Sequence, residues 1–222
     1  AGREWWRPDG SALEEAPYDE IGGAVYPDSN QEAFEFAIRL RNLPADADTT
    51  IKTEPGGSSA GGGSPPRRGG EYVQDMRWLS MSLPKDLREC QVQVGIAAGP
   101  WETTASATGE SHSGRGTQLG GVMFSQAVVS DGDGVTITVS DDILERPCRV
   151  VALSKAGRTL VASPTEAGTA GQARQTTAYF KDIAINDIAE FQFQTRPWTW
   201  VTFRNVSLKP GHQTDVAVDA QA

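Results

Sequence analysis

An all-β fold, an antiparallel β-sandwich of jelly-roll type with long Gly/Ser/Pro-rich loops, is the expected architecture of this 222-residue chain. Three features carry that expectation. Short runs of alternating apolar and polar residues recur along the chain, as strands with one face on a core require. Turn formers are abundant, with Gly 24 and Pro 13, and they punctuate those runs. Segment 189–209 sets Phe191, Phe193, Trp198, Trp200 and Phe203 at mostly alternating positions and ends like a closing strand. There is no heptad, solenoid period or long amphipathic helix.

Taken in order, residues 1–22 read as an irregular segment packed on the domain, with Trp5, Trp6 and the turn Pro8-Asp9-Gly10, where Pro presets φ and Gly accepts a positive value. The sandwich is expected over 23–210, as one domain, and a tail over 211–222. Run 32–41 alternates cleanly: Phe34, Phe36, Ile38 and Leu40 share one face, and Glu35, Arg39 and Arg41 the other. Residues 54–70 are of low complexity and read as a long flexible loop, since so little apolar surface cannot offset the entropy of ordering. Similar loops are expected over 104–118 and 163–175. Run 72–83 is strand-like with both faces partly apolar, and further strands are expected over 91–98, 120–129 and 135–139. The last of these, Val135-Thr136-Ile137-Thr138-Val139, alternates strictly and follows a hairpin turn at 130–134. One helical turn is expected over 141–144. Run 149–162 reads as a hairpin turning at Lys155-Ala156-Gly157. Run 177–191 holds a strand and a short turn. Arg196-Pro197 then splits the closing run into two strands and resets its side-chain phase.

Composition excludes some partners. The net charge is −9, whereas a nucleic-acid surface needs a basic face, so no nucleic-acid partner is expected. No stretch approaches the roughly 18 consecutive apolar residues of a membrane span, so direct membrane insertion of this segment is not expected. The chain opens Ala1-Gly2-Arg3-Glu4, which suits a mature product or a part of a longer protein.

Each candidate chemistry has a plainer counterpart. His112 and His212 stand without a second ligand at metal spacing, and no Cys-x-x-Cys is present. Ser82-Leu83-Pro84-Lys85 matches a Ser-x-x-Lys nucleophile motif only formally, because Pro84 opposes the helix that such chemistry uses. No catalytic residue and no cofactor is therefore nominated. Asp131 and Asp133, with Asp141 and Asp142 downstream, offer carboxylates to calcium, but a hairpin turn explains them as well. Cys90 and Cys148 each precede a strand and are either bridged, which would stabilise by roughly 3–5 kcal/mol, or separate buried thiols. Of the six tryptophans, Trp78, Trp101, Trp198 and Trp200 are the candidate ligand-binding set. Aromatic rings stack on sugars, and they also supply large core area.

One resemblance is carried by these residues. Segment 188–208, Trp6-Arg7-Pro8-Asp9-Gly10-Ser11, the run 36–40 (Phe-Ala-Ile-Arg-Leu) and the run 94–101 (Val-Gly-Ile-Ala-Ala-Gly-Pro-Trp) resemble C-terminal extracytoplasmic domains of planctomycete-type BlaR1-like membrane proteins. The ending 203–208 is also similar to the last strand of jelly-roll lectin-like domains. The resemblance implies the accessory, non-peptidase part, because the His-Glu-x-x-His and membrane helices of the peptidase half are absent here. It implies a periplasmic or cell-surface location, with a tether through a parent chain. The leading expectation is a non-catalytic extracytoplasmic module that binds a ligand or protein partner, as the sensor part of a membrane receptor. The alternatives are a carbohydrate-binding or glycan-processing jelly roll and a structural subunit of a surface assembly.

Overall fold

The computed structural model describes residues 4–19, 21, 25–130 and 134–221. Among these the regular structure is β throughout, apart from one 3-10 turn at Ile185–Asp187, and the strand pairs are antiparallel. The chain clusters into two compact units, 1–98 with 198–222, and 99–197.

The first unit contains β1 (Gln31–Arg39), β2 (Asp48–Glu54), β3 (Ser59–Gly61), β4 (Arg67–Arg68), β5 (Glu71–Tyr72), β6 (Met76–Pro84) and β7 (Glu89–Ala97). The chain then builds the second unit from β8 (Glu102–Ala107), β9 (Ser113–Gly116), β10 (Gly121–Phe124), β11 (Val128–Ser130), β12 (Gly134–Asp141), β13 (Cys148–Ser154), β14 (Thr159–Val161), β15 (Ser163–Ala170), β16 (Ala173–Lys181) and β17 (Ile188–Thr195). It returns to the first unit with β18 (Thr199–Ser207) and β19 (Ala217–Gln221).

In the first unit a β1–β6–β3 sheet faces a β19–β18–β7–β2 sheet. Their shared core joins Phe34 of β1 and Leu79, Met81 and Leu83 of β6 to Ile51, Val92 and Val206 of the opposite sheet. The alternation expected of run 32–41 is therefore present, with Phe36 and Ile38 packed on the same cluster as Phe34. The other face of β6 presents Met76 and Trp78, and the N-terminal segment covers it with Trp5 and Tyr18. Tyr18 is buried, and its hydroxyl donates to Glu35 Oε2 at 3.2 Å. This third layer explains why both faces of β6 are apolar.

In the second unit the β15–β16–β12–β10–β9 sheet, with β11 added to β12, faces a β14–β13–β17–β8 sheet. Val122, Phe124, Val135, Ile137, Val139 and Phe180 from the first meet Val150, Ala152, Phe191 and Phe193 from the second. Phe191 and Phe193 are both 0% exposed, and burying each stabilises the unit by about 1.5–3 kcal/mol. The strict alternation of β12 places Val135, Ile137 and Val139 in this core.

The span expected as one sandwich thus holds two separate cores. The reason is a long-range pairing. β7 and β18 are antiparallel neighbours, with Thr199 opposite Ile96, so the second unit is inserted where a hairpin turn would otherwise join them. Its own first and last strands, β8 and β17, are neighbours too, with Thr195 opposite Glu102. The break at Arg196-Pro197 is where the chain passes from one unit to the other. The expected 211–222 tail contains β19, paired to β18 from Trp200 to Arg204.

The three expected loops also contain strands. The 163–175 stretch is a β15/β16 hairpin turning at Gly171, φ +61°. The 104–118 stretch contains the end of β8 and all of β9. In 54–70, β3 adds to the edge of β6, with Gly61 opposite Leu79. Edge strands need backbone hydrogen bonds more than apolar side chains, so small polar residues suffice. Gly61 is required there: its φ is +91°, and a Cβ would stand 2.7 Å from the Trp78 ring. The expected helical turn at 141–144 is instead the end of β12 followed by a turn at Leu144-Glu145. The expected hairpin turn at 130–134 falls largely outside the described residues.

Candidate functional site

The four nominated tryptophans separate into different environments. Trp78 is 3% exposed, beneath Gly61, and its indole N–H has no hydrogen-bond partner among the described residues. It is core, not a stacking surface. Trp101, at the entry to β8, is half-buried, and its ring centroid lies 4.5 Å from the Arg149 guanidinium carbon and 4.1 Å from that of Arg196. Such cation–π contacts already engage this ring. Arg196 is itself 0% exposed. Arg149 Nε donates to Gln194 Oε1 at 2.8 Å, and Gln194 Nε2 donates to Gln192 Oε1 at 2.9 Å. This polar ladder is structural support for β13 and β17.

Trp198 and Trp200 are the pair that the fold brings together. Their ring centroids are 5.9 Å apart at an interplanar angle of 50°. Alternation along β18 directs Val201 and Phe203 to the core side and Trp200 and Thr202 to the outer face of the β19–β18–β7–β2 sheet. Trp200 stands opposite Gly95. A Cβ on Gly95 would lie 2.8 Å from Thr50 Cγ2 and 3.0 Å from the Trp200 ring, so the glycine lets the indole rest against the sheet. The Lys52 ammonium is 4.1 Å from the Trp200 ring centroid and holds it in place.

Polar side chains continue this face. Gln93 lies opposite both Lys52 and Thr202. Gln91 Nε2 donates to Glu54 Oε2 at 3.0 Å, and Arg204 Nη1 donates to Gln91 Oε1 at 3.2 Å. Arg204 Nε also donates to Asp219 Oδ2 at 2.7 Å. The result is a sheet face with an aromatic pair at one end and amides and ion pairs along it, over the buried Thr202. Lys52, Gln91, Gln93 and Arg204 were not nominated from the sequence. Their link to Trp200 is cross-strand register, and only the alternation of each strand by itself is legible in the chain.

The other nominations fall elsewhere. Asp131 and Asp133 lie outside the described residues. Ser82 is buried in β6 and Lys85 Nζ donates to Ser29 O at 2.8 Å, so the Ser-x-x-Lys match is part of a strand and its exit. His112 is exposed between β8 and β9, and His212 Nε2 lies 2.9 Å from Glu89 Oε1.

Of the two readings of Cys90 and Cys148, the structure has separate thiols, with no disulfide between them. Cys90 is on β7 in the core of the first unit and Cys148 heads β13 in the second, so the strands that they mark belong to different sandwiches. Burial pushes the Cys90 thiol up to about 12 from 9.0. The folded state therefore keeps a proton that the unfolded chain loses near pH 9. The associated stability is complete below that value and falls as the pH rises towards 12. Urea melts from pH 8 to 11 should show a steeper alkaline loss in wild type than in Cys90→Ala. Parallel curves would place the thiol in a less buried setting.

The fold and this face define an all-β protein of two sandwiches, one inserted into the other. No family model and no curated protein matches the chain. Among solved structures, a conserved domain protein from Bacillus anthracis aligns over 91% of this chain and 89% of its own, at 7% identity and a TM-score of 0.30, a likeness too slight to bear on function.

Proposed function

We propose that this chain is a non-catalytic extracytoplasmic binding module, the ligand-sensing part of a larger membrane receptor, and that it takes its ligand on the outer face of the β19–β18–β7–β2 sheet. One observation carries the proposal. Trp198 and Trp200 stand 5.9 Å apart on that face, half-buried, with the Gln93 amide next along β7, rather than in either core. The sensor role and the location rest on the family resemblance of segment 188–208 and of the shorter runs that accompany it.

The same observation favours a glycan as the ligand over a protein partner. Pyranose rings present a C–H face to an indole and hydroxyls to neighbouring amides, and this face supplies both kinds of group. Intrinsic tryptophan fluorescence, followed while soluble polysaccharides are added, tests it. We expect saturable quenching that weakens tenfold or more in Trp200→Ala and in Gln93→Ala, with both proteins still folded. Equal affinity in wild type and both variants would move the site off this face.

A further inference from the structure

We propose that a cleft at the end of the first unit, lined by Lys85, Asp86, Arg88, Lys209 and His212, is a binding site for an oxyanion group, a phosphate or a carboxylate carried on a small ligand. It shares no residue with the tryptophan face and stands whether or not that face binds a glycan.

The first ground is charge. The chain as a whole has a net charge of −9, yet this cleft is lined by Lys85, Arg88 and Lys209 with Asp86 as its carboxylate. Lys209 Nζ is 2.8 Å from Glu32 Oε2, and His212 Nε2 is 2.9 Å from Glu89 Oε1. Neither Lys85 nor Arg88 has a carboxylate partner among the described residues. Lys85 donates to the Ser29 carbonyl, a neutral acceptor. Cations grouped on one cleft of an otherwise acidic protein raise the local concentration of anions. An arginine fork beside lysine point charges is the donor set that phosphates and carboxylates use.

The second ground is preorganisation. The walls are tied by backbone hydrogen bonds from separate parts of the chain. Leu208 N donates to Arg88 O at 2.8 Å, Lys85 N to Asn30 O at 3.2 Å, and His212 N to Lys209 O at 3.2 Å. The N-terminal segment closes the back: Ser207 N donates to Pro8 O at 2.7 Å, and Gly211 N to Gly10 O at 2.9 Å. Gly10, at φ +84°, sits so close that a Cβ would meet the His212 carbonyl oxygen at 2.1 Å. These bonds fix the backbone from which the cations project, which lowers the part of the ordering cost that backbone motion would add. The cleft volume of about 410 Å³ suits a phosphorylated or uronic-acid-bearing group of monosaccharide size.

The test is isothermal calorimetry at low ionic strength, with inorganic phosphate and galacturonate as probes. Wild type, the exposed double variant Lys85→Ala/Arg88→Ala, and a control of equal charge loss in the second unit, Lys155→Ala/Arg158→Ala, are compared. We expect saturable binding of at least one probe to wild type, weakened tenfold or more in the Lys85→Ala/Arg88→Ala variant and unchanged in the Lys155→Ala/Arg158→Ala control. Tighter phosphate than galacturonate would identify a phosphorylated ligand, and the reverse order a uronate. No saturable binding of either probe, or the same affinity in wild type and the double variant, would overturn the proposal. Inorganic phosphate has no C–H face to stack on an indole, so its binding keeps this outcome separate from the fate of the sheet face.

Discussion

Replacing Asp141 with Ala should unfold the second unit at much lower temperature than wild type. The Asp141 side chain is 0% exposed and that of Arg174 18%. Arg174 donates through Nη2 to Oδ1 at 2.8 Å and through Nε to Oδ2 at 3.0 Å, while Ile143 N donates to Oδ1 at 3.0 Å. The two residues are direct cross-strand partners on β12 and β16. Asp141→Ala would leave a largely buried guanidinium with the Ile143 carbonyl, at 3.1 Å, as its one remaining hydrogen-bond partner among the described residues, and would take away the carboxylate that the Ile143 amide bonds. Breaking one side of such a pair costs about 3–5 kcal/mol, a large share of the roughly 5–15 kcal/mol that holds a domain together. The double variant Asp141→Leu/Arg174→Met removes both charges and should recover most of the loss. Calorimetric melting reads both. A single variant that melts with wild type would mean that water reaches the pair.

Trp78→Ala should do comparable damage to the first unit. The indole is buried between β6 and the N-terminal segment, with Gly61 pressed against it. Truncating a buried Trp costs about 3–5 kcal/mol through lost burial and the cavity left behind. Trp78→Phe should cost less than volume alone suggests. The indole N–H has no partner among the described residues, and losing an unsatisfied buried donor offsets part of the lost packing. Chemical denaturation curves that rank wild type, Phe and Ala in falling order support this core role. An Ala variant as stable as wild type would contradict it.

These two residues show what was legible in the chain and what was not. Alternation in 32–41 and 135–139 correctly marks β1 and β12, because period two survives in any strand with one buried face. The two-sided apolar character of 72–83 was visible, but not its cause, since nothing local says that Trp5 and Tyr18 return to cover it. The inserted unit was invisible for the same reason. Ile96 and Thr199 pair across nearly half the chain, and strand alternation contains no record of distant partners. The glycine-rich stretch reads as a loop because its residues bury little, yet β3 is held by backbone bonds and by the space that Gly61 leaves for Trp78. For the candidate site, Trp198 and Trp200 were found by composition and spacing. Lys52, Gln91 and Gln93 needed the register of β2 and β7 against β18. The basic cleft joins 85–88 to 209–212, again through long-range contacts.

The two-core organisation can be measured directly. Residues 98–197 are removed, and Ala97 is joined to Trp198 through an Asn-Gly pair, the preferred two-residue turn between antiparallel strands. Because β7 and β18 are already neighbours, the shortened protein should unfold in one cooperative transition, keep the near-ultraviolet signal of its tryptophans, and retain a β-type far-ultraviolet spectrum. A shortened protein without a cooperative transition would show that the first sandwich has no core of its own.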